Sequence, residues 1–362
     1  MGLSFIKYDT KIDFVGMRRI AYVLSIVVIL IGFASIAMNG GLRYGIDFAG
    51  GAVVQVKFDK PVEDEAIKKS LADADLPGLS IQRFGEGDED YLIRISDTGS
   101  SADSIRQTVS TALQQNLKDV SFTVQRLEMV GPKVGADLRS KAVEALYYAV
   151  LLIAVYISGR FEQRWMASAV MAATLWGGMY LLSAIGLGRE WLVFVSLLVT
   201  VALCWKLKLN FALGAIIALL HDVLISIGLL SLLGKEFDLN IIAALLTLIG
   251  YSLNDTIIVY DRIRETLRTN PDDPFDVIIN RSINQTLSRT ILTGGTTLMV
   301  IVSLFFLGGG VIHDFALTMF FGVFIGTLSS IFVASPVLLA FGKPVMAAVD
   351  ADYEKPGEHG VV

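Results

Sequence analysis

The stretch that decides the fold is residues 249–265, which read IGYSLNDTIIVYDRIRE. It extends an apolar run that begins near Ile241, so it is typical of the second half of a membrane-spanning helix. A carboxylate, Asp255, lies inside this run, with Asn254 and Thr256 beside it. An ionisable side chain at bilayer depth costs on the order of 2.5–3.5 kcal/mol, and such residues usually serve a function. We therefore expect the rest of the chain to position this one charge.

The amino-acid composition indicates a membrane protein. Of the 362 residues, 54% are hydrophobic and only 18% are charged, whereas soluble domains carry about 25% charged residues. The net charge of −5 argues against nucleic acid as a partner. One cysteine and three widely separated histidines offer no metal-ligand spacing, and no nucleophile or nucleotide-binding loop is evident. We therefore expect no metal, no cofactor and no enzymatic activity.

Apolar runs predict eight membrane spans. The first, residues 20–38, is long enough to cross a ~30 Å hydrocarbon core. A cleaved signal peptide is the alternative, although the apolar part of a signal is usually about 7–15 residues long. The other spans are residues 142–159, 166–187, 191–205, 211–233, 239–261, 289–308 and 315–341.

Positive charge predicts the orientation of these spans. Eleven Lys and Arg residues fall on one side, whereas the short opposite loops hold little beyond Arg189 and Lys235. The positive-inside rule makes the first side cytoplasmic, so residues 1–19, 262–288 and 342–362 are expected in the cytoplasm. The polar end of the tail is expected to be disordered. The eleven residues are Arg18, Arg19, Arg160, Arg164, Lys206, Lys208, Arg262, Arg264, Arg268, Arg281 and Lys343.

Residues 39–138 form the long hydrophilic segment, and their pattern predicts one small α+β domain outside the membrane. Alternating apolar residues indicate strands, and apolar residues at helical spacing indicate helices, with a turn at residues 85–88. The order β-α-β-β-α-β is that of a ferredoxin-like domain, a pattern that does not by itself indicate a function. The elements lie near residues 54–58, 67–74, 79–84, 91–95, 101–117 and 120–124.

The position of Asp255 favours a titratable group over a packing one. Counted back from Arg262, Asp255 lies roughly 10 Å inside the cytoplasmic half of the membrane. It shares a polar face with Thr247 and Tyr251, and Ser252 is beside them, so we expect it to face other helices rather than lipid. The alternative is a carboxylate held by a neighbouring donor for packing alone.

The expected partner of Asp255 is Arg289. Arg289 opens the next span and begins a second polar stripe, which includes Thr293. An opposite charge favours the ionised carboxylate whereas desolvation favours the neutral one, so a single proton can break or remake such a pair. An arginine that only reaches back to the membrane surface is the alternative.

A second acidic position follows a histidine. His221 and Asp222 lie about ten residues into the span 211–233, near the middle of the membrane. Adjacent positions on a helix point about 100° apart, so we expect these two not to form one site. Asp222 shares a face with Ser226 and could extend the relay, and a satisfied structural pair fits the pattern equally well.

A glycine-rich turn at residues 41–51 joins the first span to the outer domain. Glycine permits positive φ and close backbone approach, which suits a compact hinge or a seat for that domain. It contains no GxGxxG or Walker pattern, so it is a weak phosphate loop. The residues expected to form the hinge or seat are Gly41, Gly45, Asp47, Gly50 and Gly51.

Two patterns near the end of the chain have structural interpretations. The spacing of Gly322, Gly326 and Ser330 predicts a face where two helices pack closely. His313 and Asp314 are expected in a solvated outer loop.

These motifs resemble those of SecF, a family of protein-export membrane subunits related to the RND exporters. Residues 41–51, 250–265 and 282–290 carry the resemblance, and residues 215–223 fit it. The resemblance implies a polytopic membrane protein of the bacterial cytoplasmic membrane that helps draw secreted polypeptides out of the Sec channel. The energy source would be the proton gradient. An RND-type exporter of small solutes or lipids, and a purely structural subunit, are the alternatives.

The resemblance also implies site residues and partners. In that family the membrane aspartate and arginine corresponding to Asp255 and Arg289 are linked to proton conduction. The expected partners are SecD, the SecYEG channel, in some cases YajC, the unfolded polypeptide in transit, and membrane lipid. The expected relay is Asp255, Arg289, Asn254 and Thr256, with Asp222, His221, Ser252 and Thr293 as further candidates.

One feature departs from the family pattern. SecF proteins usually have six spans, whereas residues 166–205 here add a pair. Two added helices preserve the orientation of everything after them. Because this pair carries no charge inside its apolar cores, we expect a peripheral hairpin that takes no part in the relay.

Overall fold

The computed structural model describes residues 10–74, 76–83, 89–96, 101–162, 165–184 and 189–342. Within these residues, six helices are long and apolar enough to cross a membrane. The chain is therefore a mostly helical, multi-pass membrane protein. The predicted turn at residues 85–88 and the predicted cytoplasmic tail beyond Gly342 lie outside the described residues, as do residues 1–9 of the predicted N-terminal segment.

The chain alternates between helices and short strands before it enters the helical bundle. In chain order the elements are α1 (Arg18–Met38), α2 (Ile46–Ala49), β1 (Gly51–Phe58), α3 (Asp64–Leu71), β2 (Ser80–Arg83), β3 (Asp90–Ile95), α4 (Ala102–Asn116), β4 (Phe122–Val130), α5 (Pro132–Glu162), α6 (Trp165–Ala184), α7 (Arg189–Lys206), α8 (Asn210–Leu232), α9 (Leu239–Thr269), α10 (Phe275–Leu307) and α11 (Gly309–Ser329).

A four-stranded antiparallel sheet organises the hydrophilic segment, with the strand order β2-β3-β1-β4. Val54, Val56 and Phe58 of β1 are buried, as their alternation predicts. They share one apolar core with residues of α3 and α4, such as Ile67 and Val109. The two helices therefore pack on the sheet, and the chain leaves it from β4 directly into α5.

Close helix packing builds the membrane part. A Cβ atom added at Gly322 of α11 would come within 2.7 Å of Leu248 on α9, and one at Gly326 within 3.0 Å of Ser252. The structure thus confirms the packing face predicted from glycine spacing. A Cβ atom at Gly32 of α1 would lie 2.7 Å from the Cα atom of Gly228 on α8. Such approaches bring backbones together where no hydrophobic effect drives helices to associate.

Three helices extend beyond their predicted limits. α5 begins at Pro132, so residues 132–138, placed with the outer domain, belong to a helix. α9 runs to Thr269 and α10 starts at Phe275, so most of the predicted cytoplasmic segment 262–288 is helical. Apolar runs mark only the part of a helix inside lipid, whereas backbone hydrogen bonding continues into water.

The prediction of a loop at His313 and Asp314 is wrong. The structure puts both residues in the first turns of α11. The reason is the same, because polar side chains at the membrane surface lower the local hydropathy without ending the helix. Asp314 forms an ion pair with Lys235 at 2.7 Å, across the outer surface of the helix bundle.

The helices of the predicted insertion form a hairpin. α6 and α7 pack against each other and against α5, and α7 also packs on α8. Ser168 of α6 donates a hydrogen bond of 2.6 Å to Ser158 of α5. Within the described residues, the apolar stretches of this hairpin are short, Ser168–Gly177 and Leu192–Lys206, and neither is among the six long spans.

The N-terminal segment binds the helical hairpin formed by α9 and α10. Asn284 accepts from the backbone N–H of Ile12 at 3.0 Å and donates to its carbonyl at 2.8 Å. Asn280 accepts from the N–H of Phe14 at 2.9 Å. The N-terminal segment and the α9–α10 turn therefore lie on the same side of the membrane part.

α11 ends in an irregular segment. A π-helical turn, Ser330–Ala334, follows it and leads into Ser335–Val337 and a 3-10 turn, Leu338–Phe341. The Tyr260 hydroxyl donates to the carbonyl of Ala334 at 3.0 Å, which satisfies an acceptor that the wider turn displaces. π-helical turns are frequent at functional sites. This one begins directly after Ser329, whose hydroxyl donates to the Asp222 carboxylate.

Candidate functional site

Asp255 is buried in α9 and poorly compensated. It is 1% exposed. The Thr293 hydroxyl of α10 lies 3.4 Å from Oδ1, a long contact, and it also lies 3.0 Å from the carbonyl of Arg289. Among the described residues, Oδ2 has no hydrogen-bond partner. A buried carboxylate normally has several donors or a cation, and this one has a single long contact.

The other residues of the expected relay lie in different environments. Thr256 is buried beside Asp255. Asn254 and Arg289 are less buried, at the surface of α9 and α10. Arg289 acts on Asp255 through its charge, but no ion pair joins them among the described residues, so the expected pair is not closed in this chain.

Two hydroxyl groups near Asp255 are also unsatisfied. In the described part of the chain, the hydroxyl oxygen of Thr290 on α10 is buried without a hydrogen-bond partner, and that of Tyr251 on α9 is buried near Thr293, Thr297 and Thr327 without an aligned hydrogen bond. Thr290 was missed in the sequence because a threonine inside an apolar run is ordinary in membrane helices. Native structures leave few such atoms unpaired.

Asp222 has the opposite character, because its carboxylate is fully bonded. It is 1% exposed. Its Oδ2 accepts from Ser252 of α9 at 2.5 Å and from Ser329 of α11 at 2.8 Å. Its Oδ1 lies 2.8 Å from Nδ1 of His221. The expectation that His221 and Asp222 do not form one site was therefore wrong. Side-chain torsions turn the ring and the carboxylate together, although the Cα–Cβ directions diverge.

The histidine extends this network to a fourth helix. Nε2 of His221 lies 2.8 Å from the hydroxyl of Ser25 on α1. With Nδ1–H donating to Asp222, the neutral ring accepts at Nε2, whereas a protonated ring donates there. Ser25 and His221 also line a cavity of about 680 Å³ between α1, α8 and α11, whose other lining residues are almost all apolar. Ser226, expected on the same helix face as Asp222, donates through its hydroxyl to the Asp222 backbone carbonyl at 2.8 Å.

Asp222 and Asp255 make their contacts on different sides of α9. Asp222 binds Ser252, which is three residues before Asp255 on the same helix. Asp255 contacts Thr293 of α10. Ser252 of α9 is thus bonded to the Asp222 carboxylate, which has a full set of hydrogen bonds. Asp255 of the same helix faces α10 with a single long contact.

The glycine-rich turn seats the outer domain on the membrane part. The N–H of Gly45 donates to Phe237 at 2.8 Å, in the α8–α9 loop, and Phe237 donates back to Arg43 at 2.7 Å. Asp47 accepts from the N–H of Leu239 at 3.0 Å, at the start of α9. Phe48 is buried against the same region, in one cluster with Phe237.

Three of the glycines adopt backbone conformations that favour glycine. Gly41, Gly50 and Gly51 have φ values of +125°, +78° and +122°. A Cβ atom at Gly50 would lie 2.9 Å from Pro132, and one at Gly51 would lie 2.5 Å from the carbonyl oxygen of Ile95. The turn is therefore tightly packed where it enters β1. Among the described residues, no group of three or more His, Cys, Asp or Glu is placed to bind a metal ion.

Protein-family comparison matches both motif regions. The model described as protein export membrane protein SecD/SecF, C-terminal, matches residues 109–187 and 188–344. The model described as SecD/SecF GG motif matches residues 36–62, which include the seat.

Relatives named protein translocase subunit SecF match nearly the whole chain. The protein of Magnetococcus marinus is 41% identical over 91% of this chain and 92% of its own length. That of Calditerrivibrio nitroreducens is 38% identical over 92% of this chain and 95% of its own length. That of Escherichia coli O157:H7 is 36% identical over 91% of this chain and 88% of its own length.

Solved structures of SecDF share the fold. SecDF from Thermus thermophilus, described as a translocon-associated membrane protein, has a TM-score of 0.67 and 32% identity over 94% of this chain. SecDF in a super-membrane-facing form has a TM-score of 0.54 over 92% of this chain. This chain spans 39% of the length of each SecDF chain. The resemblance predicted from the motifs is confirmed: with a family model matching more than half of its length and SecF relatives aligned over nine-tenths of it, this chain belongs to the SecD/SecF family, among its SecF members.

Proposed function

We propose that this chain is an auxiliary subunit of the Sec protein translocase, which works with a SecD partner and uses the proton-motive force to promote protein export across the bacterial cytoplasmic membrane. The SecF relatives are named as translocase subunits, and this chain covers almost all of their length. The single observation that carries the energetic part is Asp255, a buried carboxylate with one long hydrogen bond. The role requires no cofactor and no enzymatic step.

In this proposal the proton binds at Asp255. Desolvation penalises the charged carboxylate, and the approach of a cation such as Arg289 compensates it, so movement of Arg289 shifts the proton on or off. Thr293 contacts both residues through its hydroxyl, at the Asp255 carboxylate and the Arg289 carbonyl. Thr256 and Asn254 flank the carboxylate on α9. His221, Asp222 and Ser252 form a hydrogen-bonded group that joins α8 to α9.

SecD is the proposed partner at the α9–α10 surface. The solved structures that share this fold are SecDF chains, in which this chain covers 39% of the length. The exposed side chains of Asn254 and Arg289 offer polar contacts to another subunit at this surface. The proposal extends to the SecYEG channel, YajC in some bacteria, membrane lipid and the unfolded polypeptide in transit.

We place the chain in the membrane with eight spans and both termini in the cytoplasm. The binding of residues 12–15 to α10 supports a common side for the N-terminus and the α9–α10 turn, where positive charge is concentrated. In this arrangement the hairpin α6–α7 also crosses the bilayer, as a peripheral addition. The family model matches in two stretches that meet within that hairpin, at residues 187 and 188.

The outer domain is proposed to be ferredoxin-like. Its element order is β-α-β-β-α-β, and its strand order is β2-β3-β1-β4 with all neighbours antiparallel. That is the arrangement of a split βαβ fold. Such a domain on the outer face would meet polypeptide as it leaves the channel.

The test is export in cells depleted of their own SecF and supplied with this chain. Asp255→Asn should lose the stimulation of secretion, so precursor protein accumulates inside the cells at unchanged membrane levels of the chain. Asp276→Asn, which removes a carboxylate from the first turn of α10, is the matched control and should secrete normally. Normal secretion by Asp255→Asn would refute the proton-driven role. If both variants secrete protein normally and Asp255→Asn alone loses efflux of a solute or lipid, the exporter alternative is favoured.

A further inference from the structure

An ion pair joins the outer domain to the loop between α8 and α9. Arg94 lies on β3, and its guanidinium Nη1 contacts Oε2 of Glu236. The two side chains are 21% and 25% exposed, so the pair is largely shielded from water. The Arg126–Glu128 pair on β4, by contrast, is exposed. A shielded pair is screened less by salt and discriminates more sharply between domain orientations than an exposed one.

Arg94 faces several carboxylates, not one. Asp47, Asp238 and Asp314 all act on its charge. Burial lowers the pKa of the Arg94 guanidinium and these three carboxylates oppose that shift, so the group stays charged. Each carboxylate has another ligand: Asp47 holds the N–H of Leu239, Asp238 that of Ile241, and Asp314 the Lys235 ammonium.

The guanidinium of Arg94 is incompletely used. In the described part of the chain its Nε is buried without a hydrogen-bond partner, and so is Oε2 of Glu236, so the two side chains meet as opposite charges rather than through an aligned hydrogen bond. Arginine has five N–H donors in a fixed fork, and a shielded fork that leaves one donor unpaired loses little by moving to another acceptor. The acidic groups around it provide those acceptors. The contact with Glu236 is thus one of several that this side chain can make from nearby positions of the outer domain.

The α8–α9 loop, which Arg94 contacts through Glu236, is followed directly by α9, the helix that carries Asp255. Glu236 is three residues before Leu239, the first residue of α9. α9 then runs without interruption to Asp255, about 24 Å further along at 1.5 Å per residue. On the other side, the glycines at positions 50 and 51 connect the seat to β1 with positive φ. The ion pair therefore lies between the start of α9 on one side and the Gly50–Gly51 turn, where the chain enters β1 of the outer domain, on the other.

We propose that Arg94 is a positioning residue that transmits movement of α9 to the outer domain through its pairing with Glu236. The inference rests on the proposed function, because it needs α9 to move when Asp255 changes its proton. When α9 shifts, Glu236 shifts with it, and Arg94 follows or exchanges to a neighbouring carboxylate, so the sheet reorients about the Gly50–Gly51 turn. Loss of the pair leaves proton binding intact and uncouples it from the outer domain.

The test uses the complete complex with SecD, in cells and in vesicles. Arg94→Gln should reduce export at least fivefold, and Glu236→Gln should reduce it by less, because neighbouring carboxylates still face the guanidinium. In both variants Asp255-dependent proton flux should remain within twofold of the unmodified complex. The double variant should be no worse than Arg94→Gln alone, because that variant already removes the interaction. Arg94→Lys, which keeps the charge, should recover at least half of the export. Arg126→Gln is the matched control and should export normally.

A second measurement reads the orientation of the outer domain directly. Spin labels are placed at Gln107→Cys on α4 and at Met38→Cys, both exposed, whereas the native Cys204 is fully buried. The distance distribution should broaden or shift in Arg94→Gln and stay unchanged in Arg126→Gln. An unchanged distribution in Arg94→Gln, normal export, or equal loss of proton flux and export would each overturn the inference. Failure of Asp255→Asn to impair export is a separate result, which overturns the proposed function itself.

Discussion

Nδ1 of His221 lies 2.8 Å from Oδ1 of Asp222, although the two residues are neighbours in α8. Together with Ser252 and Ser329, the histidine saturates this carboxylate at the meeting point of three helices. Asp255, less than one turn after Ser252, is equally buried but has one contact of 3.4 Å. Two buried aspartates in one bundle thus have opposite degrees of compensation, and this difference predicts opposite responses to the same substitution.

Asp222→Asn is expected to destabilise the chain. The amide turns at least one of the hydroxyl or imidazole donors into an unpaired group, and hydrogen bonds to a charged acceptor are worth about 1.5–3 kcal/mol each. The free energy of unfolding in mixed detergent and SDS should fall by that amount. Ser303→Ala on α10, which removes an exposed hydroxyl bonded within its own helix, should leave it unchanged. An unaltered stability for Asp222→Asn would mean that this network does not hold the helices together.

Asp255→Asn is expected to raise the stability of the same chain while abolishing its contribution to export. Removing a charge that has lost its hydration and gained one long hydrogen bond should stabilise the fold by about 1 kcal/mol. Proteins that gain stability at the expense of activity do so at sites where function needs a strained or unsatisfied group. Unfolding in SDS and export in the secretion assay are both measured on Asp222→Asn and on Asp255→Asn. A loss of stability comparable to that of Asp222→Asn would show that Asp255 is a structural carboxylate.

The hydrogen bonding of Asp222 was not accessible from sequence. The burial of Asp255 inside a helix was, but the absence, among the described residues, of an ion pair with Arg289 and the unpaired Thr290 hydroxyl were not. Asp255 interrupts an apolar run, and that signal is local, so it survives without a structure. The saturation of Asp222 depends on Ser252 and Ser329, which lie on other helices and carry no pattern that points to it. The prediction that separated His221 from Asp222 used backbone directions alone, whereas flexible side chains closed the gap.

The junction of the outer domain shows the same limit. The glycines at positions 50 and 51 signal an unusual backbone, and the structure places both at positive φ. Arg94 and Glu236 are far apart in the chain, and each resembles an ordinary surface charge in its own segment. Their pairing follows from how the sheet sits on the α8–α9 loop, a relationship between distant segments that hydropathy and spacing do not encode.

Gly50→Ala and Gly51→Ala are expected to weaken the attachment of the outer domain. A side chain held in this part of backbone space, which is used almost only by glycine, costs on the order of 1–3 kcal/mol, and the added Cβ atom would also clash with Pro132 or with the carbonyl of Ile95. Limited proteolysis of the purified complex should therefore cleave near the turn faster in these variants. Gly131→Ala is the control, because no atom lies within 4 Å of its added Cβ. Equal cleavage in all three variants would contradict a tightly packed seat.

Asp238, at the start of α9, predicts how the junction responds to pH. Burial raises the pKa of this carboxyl, its bond from the N–H of Ile241 lowers it, and the charges of Asp47 and Asp314 raise it further. We call the junction closed when the outer domain contacts the α8–α9 loop and the start of α9, as in this structure, and open when it does not. The closed junction therefore holds a proton on Asp238 more tightly than the open one does. Stability of the closed form should rise as pH falls from 7 through the raised pKa, and the rise should end near the ordinary value of 3.8.

Hydrogen exchange at the Ile241 amide, expressed as protection relative to the free peptide, measures this stability. Asp238→Asn keeps the helix cap, since Asn and Asp cap equally well, but it removes the titration. Protection in Asp238→Asn should thus be higher than in the unmodified chain at pH 7 and should no longer depend on this group as pH falls. Asp64 in the outer domain has a pKa shift of the opposite sign, because the hydrogen bond from Arg83 holds the pKa of its carboxyl below the usual value. Asp64→Asn removes that titration. The stability that Asp64 gives its own domain is present above pH 3.8 and is lost only as pH falls through that lowered pKa, so it should be flat between about pH 7 and 5. If protection at Ile241 falls on acidification, the charged form of Asp238 stabilises the junction through Arg94, and burial is the lesser effect.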